Sequence, residues 1–171
     1  MTNASHEIHD GGQRQALQCE LAAETLRSFG TLRLRVRGQS MLPSIWPGDT
    51  LVIKHSNFAD IAPGDIVLYS RGNRFFAHRV LRGIEVADNP QLITQGDALR
   101  KQDAPVSPVE LLGRVSQIIR DGKGMRVSPK GTLATWCVGR IFCNSPFLSR
   151  LLVHLRTKRA NSHSYEVPCH T

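Results

Sequence analysis

From Leu32 the chain alternates apolar and basic positions, with Leu32, Leu34 and Val36 separated by Arg33, Arg35 and Arg37. A period of two puts one set of side chains on each face of an extended segment, so this stretch predicts a half-buried strand. Further short apolar runs follow at 52–53, 66–69, 75–81, 91–94 and 113–119. Between them stand Pro-Gly-Asp, Arg-Gly-Asn and proline-rich segments, whose residues either preset φ or tolerate positive φ and therefore turn the chain. Strands joined by turns, with no helix between them, predict an antiparallel β domain over 31–120.

The period changes at both ends. Between Gln13 and Phe29, Leu17, Leu21, Leu26 and Phe29 recur at near-helical spacing, and Gly30 stands where a C-terminal cap belongs, so 13–30 predicts one amphipathic helix. Residues 1–12 are polar and end in Gly11-Gly12, which reads as a flexible lead. Beyond Lys130, Leu148, Leu151, Leu152 and Leu155 share a helical face, with Arg150, Arg156 and Lys158 elsewhere. A basic, partly helical tail over 121–160 and a disordered end over 161–171 follow. Such a helix suits either an anionic membrane surface or its own domain.

Length and composition narrow the class. A chain of 171 residues supports one domain with a sizeable core. The hydrophobic share of 40% and charged share of 21% fit a folded protein. Residues 120–160 hold nine Lys or Arg against Asp121 alone, which accounts for the whole net charge of +8. The core is therefore roughly neutral, and attraction to an anionic surface is expected only of the tail. That tail lacks interleaved aromatics or a reading motif, so nucleic acid is not an expected partner. The N-terminus has no basic start followed by an apolar stretch, and the apolar region 132–155 is interrupted by Arg140, Asn144, Pro146 and Arg150. The expectation is a cytoplasmic or peripherally membrane-associated protein without a signal peptide or span. Cys19, Cys137, Cys143 and Cys169 form no Cys-x-x-Cys pair and no zinc-finger spacing, so no metal site is expected.

Three blocks carry chemistry. The first is Gly38-x-Ser40-Met41-x-Pro43, followed by Gly48-Asp49-x-Leu51-x-Ile53; the second is Phe75-Phe-Ala-His78-Arg79-Val80; the third is Leu92-Ile-Thr-Gln-Gly96-Asp97, with Asp103 six positions on. A serine nucleophile needs a base to accept its proton and a third group to orient that base. His78 is the histidine inside the strand-rich core, whereas His6, His9, His163 and His170 lie in polar ends, and His55 and His154 lie outside the three blocks.

Over roughly residues 33–118 this order of blocks resembles the signal peptidase I and LexA-type serine peptidases. The resemblance implies a mainly β, antiparallel LexA/signal-peptidase-like domain with Ser40 as nucleophile and His78 as general base. It also implies an acid after the Gly-Asp turn: Asp103 is the choice for orienting His78 and Asp97 the runner-up, its other role being to cap the turn after Gly96. In most bacterial signal peptidases and LexA-type proteins the base is a lysine, while archaeal and endoplasmic-reticulum-type signal peptidases have histidine in a His-Arg-Val-like context. No lysine falls between Lys54 and Lys101, so the chain looks like the histidine branch. Signal peptidases often place a hydroxyl two residues before the nucleophile; Gly38 stands there, leaving backbone N–H groups or Gln39 to hold the oxyanion. Gly38, Gln39, Met41 and Pro43 are the expected substrate-binding segment, with Met41 bordering a pocket for a small side chain and Pro43 shaping the loop.

The function implied is a serine endopeptidase acting on an extended peptide without metal or organic cofactor. The alternative is a self-cleaving or partner-binding regulator, with Asn3-Ala4-Ser5 or Gly11-Gly12 as the scissile segment. The helical lead is too short for the two-helix DNA-reading unit and linker of a LexA-type repressor. Nucleic-acid binding through the basic tail is the third reading.

Overall fold

The computed structural model of the chain describes residues 4–127. A helix, α1 (Ala4–Phe29), precedes seven strands: β1 (Thr31–Arg35), β2 (Thr50–Lys54), β3 (Ile66–Arg71), β4 (Arg74–Val86), β5 (Asn89–Gln95), β6 (Leu111–Arg120) and β7 (Lys123–Arg126). They form one antiparallel sheet in the order β1-β2-β6-β3-β4-β5, with β7 paired to β6. The mainly β, antiparallel fold with one N-terminal helix is thus as expected.

Four features depart from the sequence pattern. The helix begins at Ala4 rather than Gln13, running through Gly11-Gly12; glycine inside a helix costs about 1 kcal/mol relative to alanine, which propagation from a packed end can absorb. Its buried face is Ala22 and Leu26, whereas Leu17, Leu21 and Phe29 are exposed. β4 runs past residue 81 to Val86 and meets β5 through Ala87-Asp88, both at positive φ. β7 follows a second such turn at Asp121-Gly122, so the opening of the expected tail is a strand of the sheet. The rest of the expected tail and the segment 161–171, expected to be disordered, lie with Cys137, Cys143 and Cys169 outside the described residues.

The centre of the sheet, at β3, is buried on both faces, and strand parity sorts the core. Ile66 and Leu68 of β3 join Leu26, Met41, Ile45, Leu51, Ile53, Val115 and Ile118 under α1, with Leu32, Leu34, Val36, Phe75 and Ala77 packed against them. Val67 and Tyr69 point the other way, to Val80, Leu92 and Val106. This is why β3 reads as a continuous apolar run rather than an alternation. Each fully buried aliphatic side chain contributes about 1.5–3 kcal/mol, and it is this two-sided packing that holds the strand carrying His78.

Two turns of identical construction set the frame around the site. In Trp46-Pro47-Gly48-Asp49 and Ala62-Pro63-Gly64-Asp65, the fourth N–H donates to the first carbonyl at 3.0 and 3.1 Å. Gly48 and Gly64 hold φ of 94° and 96°, which proline followed by glycine favours in a type II turn. Each aspartate accepts back from the first residue's N–H, at 2.8 Å for Asp49 and 3.0 Å for Asp65. The expectation that both Gly-Asp pairs build turns is met.

Candidate active site

Ser40 sits on the loop between β1 and β2, whose ends are tied together by Val36 N–H to Asp49 O at 2.8 Å and Gly48 N–H to Val36 O at 2.9 Å. Met41, Leu42 and Ile45 are buried and anchor the loop from below. The buried carboxylate of Asp49 accepts from Arg120, whose guanidinium also reaches the Ser44 carbonyl at 3.1 Å. The Ser40 carbonyl is held in turn by the N–H of Ala98 at 2.9 Å. The serine is therefore fixed from its own loop and from the turn that follows β5.

His78 lies on β4, on the same strand face as Phe76 and Val80. It is 3% exposed, with its ring edge-on to Tyr69 and Phe76 at centroid distances of 6.2 and 6.0 Å. Its two nitrogens face different partners: Nε2 is 2.9 Å from Ser40 Oγ and Nδ1 is 2.7 Å from Asp103 Oδ2. A proton on Nδ1 directed at the carboxylate leaves the Nε2 lone pair toward the serine, the tautomer a general base requires.

Asp103 is placed by several independent contacts. Its N–H donates to the Thr94 carbonyl at 2.9 Å, and the fully buried Thr94 hydroxyl donates to its Oδ2 at 2.7 Å. Downstream, Val106 and Leu92 exchange backbone hydrogen bonds of 2.8 and 2.9 Å. Arg71 donates to the carbonyls of Ala104 and Pro105 and grips Glu110 with two bonds, of 2.5 and 2.9 Å. Those bonds from Arg71 hold the Glu110 carboxyl down to about 2. Beneath Asp103, burial pushes the Tyr69 phenol up to about 12, with the nearby Asp103 charge adding to the effect. Tyr69 thus stays protonated beside the carboxylate.

Asp97 has a different set of partners from Asp103. It accepts from Arg79 Nε at 2.9 Å and from a terminal nitrogen of the same guanidinium at 2.8 Å, and from Ser44 Oγ at 2.5 Å. Arg79 also donates to Gly64 O at 2.9 Å. Being next to His78 on a strand, Arg79 points to the opposite face. Asp97, Arg79, Ser44 and Gly64 therefore clasp the serine loop, the β4 strand and the second Pro-Gly-Asp turn together.

A cleft of about 660 Å³ opens at Ser40 and His78. Its walls are α1, through Gln18, Leu21, Ala22 and Thr25, and the two strand segments β1 and the start of β4. Of the expected substrate-binding segment, Gly38 and Met41 line it; Gln39 and Pro43 do not. Met41 is 4% exposed, and its Sδ accepts from the Asp97 N–H at 3.5 Å, so it packs and borders the cleft at once. A Cβ at Gly38 would meet nothing within 4 Å. No group of three His, Cys, Asp or Glu residues capable of holding a metal occurs among the described residues.

Sequence reasoning names Ser40, His78, Asp97 and Asp103 and misses Thr94, Tyr69, Arg71, Arg79 and Ser44 as supports. Thr94 carried a signal: a hydroxyl inside the apolar run 92–94 is a buried polar group that needs a partner. The Arg71 to Glu110 pairing spans 39 positions and leaves no local trace.

Among the described residues no helix is long and apolar enough to cross a membrane. No curated protein matches the chain. A family model described as Peptidase S24-like matches residues 5–116, a span that takes in α1, the serine loop, His78, Asp103 and the first part of β6. On that match, covering more than half of its length, the chain belongs to the Peptidase S24-like family.

Proposed function

We propose that this chain is a serine endopeptidase of the histidine type, resembling signal peptidase I, which cleaves an extended peptide supplied in trans. The observation that carries the reading is the hydrogen-bond chain from Ser40 Oγ through His78 to Asp103, at 2.9 and 2.7 Å. Ser40 Oγ attacks the scissile carbonyl carbon as its proton passes to His78 Nε2, and Asp103 stabilises the resulting imidazolium. The tetrahedral intermediate collapses, the C–N bond breaks and the leaving amine takes the proton from Nε2. Water then attacks the acyl-serine, His78 again takes and returns a proton, and the acid product leaves.

Among the described residues the Ser40 N–H donates to no protein acceptor, which makes it available to the oxyanion. Gly38 supplies no side-chain donor there, and Gln39 stays outside the cleft lining. The substrate's place is suggested by two open edges. Among the described residues β1 pairs only with β2, and the 74–78 segment of β4 pairs only with β3, and both face the cleft. An extended peptide can add to such an edge through its main chain.

The test is cleavage of a peptide library with paired small residues, read by mass spectrometry, for wild type and Ser40→Ala. Wild-type cleavage reduced by at least about 10³-fold in the variant is expected. Undiminished cleavage by pure, folded Ser40→Ala would sink the assignment. The family also accommodates a self-cleaving regulator. Gly11-Gly12 as its scissile segment lies inside α1 and would have to unwind before presenting an extended bond. A chain of unchanged mass after prolonged incubation excludes that reading.

A further inference from the structure

The edge of β1 has two faces of opposite chemistry. Leu32, Leu34 and Val36 pack against the core under α1, while Arg33, Arg35 and Arg37 are exposed. Arg35 and Arg37 line the cleft that opens at Ser40, and no Asp or Glu lines it. Several carboxylates are engaged by other arginines: Glu24 with Arg27, Asp49 with Arg120, Asp65 with Arg114 and Asp97 with Arg79. Among the described residues, Arg33, Arg35 and Arg37 have no carboxylate within ion-pair distance. Across β2, the residue opposite Thr31 is Lys54, which adds to the same sign.

A strand laid on this edge would inherit its period. Residues of the added strand that stand beside Leu32, Leu34 and Val36 turn toward the apolar cleft. The alternate residues stand beside the arginines, at the cross-strand separation of roughly 4.5–5.5 Å where side chains pair. We infer that the cleft selects an acidic peptide, one that alternates small or apolar residues with Asp or Glu on the segment running along β1, with Arg35 and Arg37 as the residues that read the charge. The inference rests on the peptidase reading of the cleft and adds the substrate's charge to it. An anionic membrane would meet the same arginines, but it would not use the alternation or the cleft.

The experiment measures binding apart from cleavage. Fluorescence anisotropy with Ser40→Ala protein compares three labelled peptides, identical except for Glu, Gln or Lys at two alternate positions. The Glu peptide is expected to bind about three- to tenfold more tightly than the Gln peptide, as two exposed ion pairs allow. That advantage should fall to less than about twofold in 0.5 M salt, where the screening length is only a few ångströms. Arg35→Gln with Arg37→Gln should abolish it, and Arg35→Glu with Arg37→Glu should transfer it to the Lys peptide, which shows the cleft is still folded. Equal affinities, no binding of any peptide, or arginine variants that keep the preference would overturn the inference. So would arginine-dependent binding to phosphatidylserine vesicles without a peptide preference. Wild-type cleavage of all three peptides at equal rates leaves the peptidase standing and removes the selectivity. Binding with the charge preference but no cleavage does the reverse.

Discussion

Gly96→Ala probes how Ser40, the proposed nucleophile, is held without touching its side chain. A Cβ at residue 96 would stand 2.6 Å from the Ser40 carbonyl oxygen, and 3.0 Å from two carbons of Leu99. Leu99 can rotate, but the carbonyl is backbone and is already held by the N–H of Ala98 at 2.9 Å. Ordinary contact begins at 3.4 Å, so the Ser40 carbonyl must retreat by the difference, about 0.8 Å. A shift of that size passed on to Ser40 Oγ is enough to break its 2.9 Å hydrogen bond with Nε2. A misplacement of about 1 Å costs on the order of 10²-fold in rate, so a fall in kcat/KM of about 10- to 100-fold is expected. Overpacking should remove about 1–3 kcal/mol of stability as well. Gly96 is outside the left-handed region of φ, so alanine meets no conformational penalty there and the effect is steric. Gly83→Ala is the control: its Cβ meets only Gln91 O at 3.9 Å, and it should be neutral or stabilising by up to about 1 kcal/mol. The measurements are kcat/KM on a peptide that wild type cleaves and urea unfolding of each variant. Gly96→Ala with kcat/KM within twofold of wild type would refute the claim that this turn positions the serine.

The two acids should separate cleanly under substitution. Asp103→Asn should lower kcat by about 10³- to 10⁴-fold, because an amide favours the wrong histidine tautomer. Asp97→Asn should instead cost about 2–4 kcal/mol in urea unfolding, since it strands a guanidinium that is only 12% exposed; the reverse pattern would exchange their roles. Thr94→Val, which deletes the hydroxyl bonded to Asp103, should reduce kcat/KM by about tenfold with little change in KM, and Thr94→Ser should restore it. The Glu110 carboxyl, ordinarily near 4.5, is held at about 2 in the fold, so its contribution to stability is present above 4.5 and is lost as pH falls toward 2. Because the pair is partly solvated the effect is below about 1 kcal/mol; acid titration of unfolding should show a shallower decline in that window for Glu110→Gln.

What could be read in advance follows from the range of each interaction. The strand cores, the two Pro-Gly-Asp turns and the order Ser40, His78, Asp103 depend on local period and residue type, and the sequence displays them directly. The β4–β5 hairpin was obscured because its turn is Ala87-Asp88, without glycine, and because Pro90 stands inside β5. A proline fits there because β5 is an edge strand. The sequence does not single out the buried helix face, since Leu17 and Leu21 are as apolar as Leu26; only tertiary placement decides that Ala22 and Leu26 face the core. Pairings such as Arg79 with Asp97 and Arg120 with Asp49 join residues 18 and 71 positions apart, and no periodicity encodes them.

The adjacency of His78 and Arg79 on one strand makes the β3–β4 register decisive. Neighbouring strand residues face opposite ways, so the pairing of Val67 with His78 and of Ile66 with Arg79 decides which of the two meets the serine. A slip of one position between β3 and β4 would turn a guanidinium, which cannot accept a proton, toward Ser40 and withdraw the clasp on Asp97 in the same movement. The hairpin register therefore acts as a binary lock: one alignment sets His78 against Ser40 and closes the clasp of Arg79 on Asp97, and neither is had without the other.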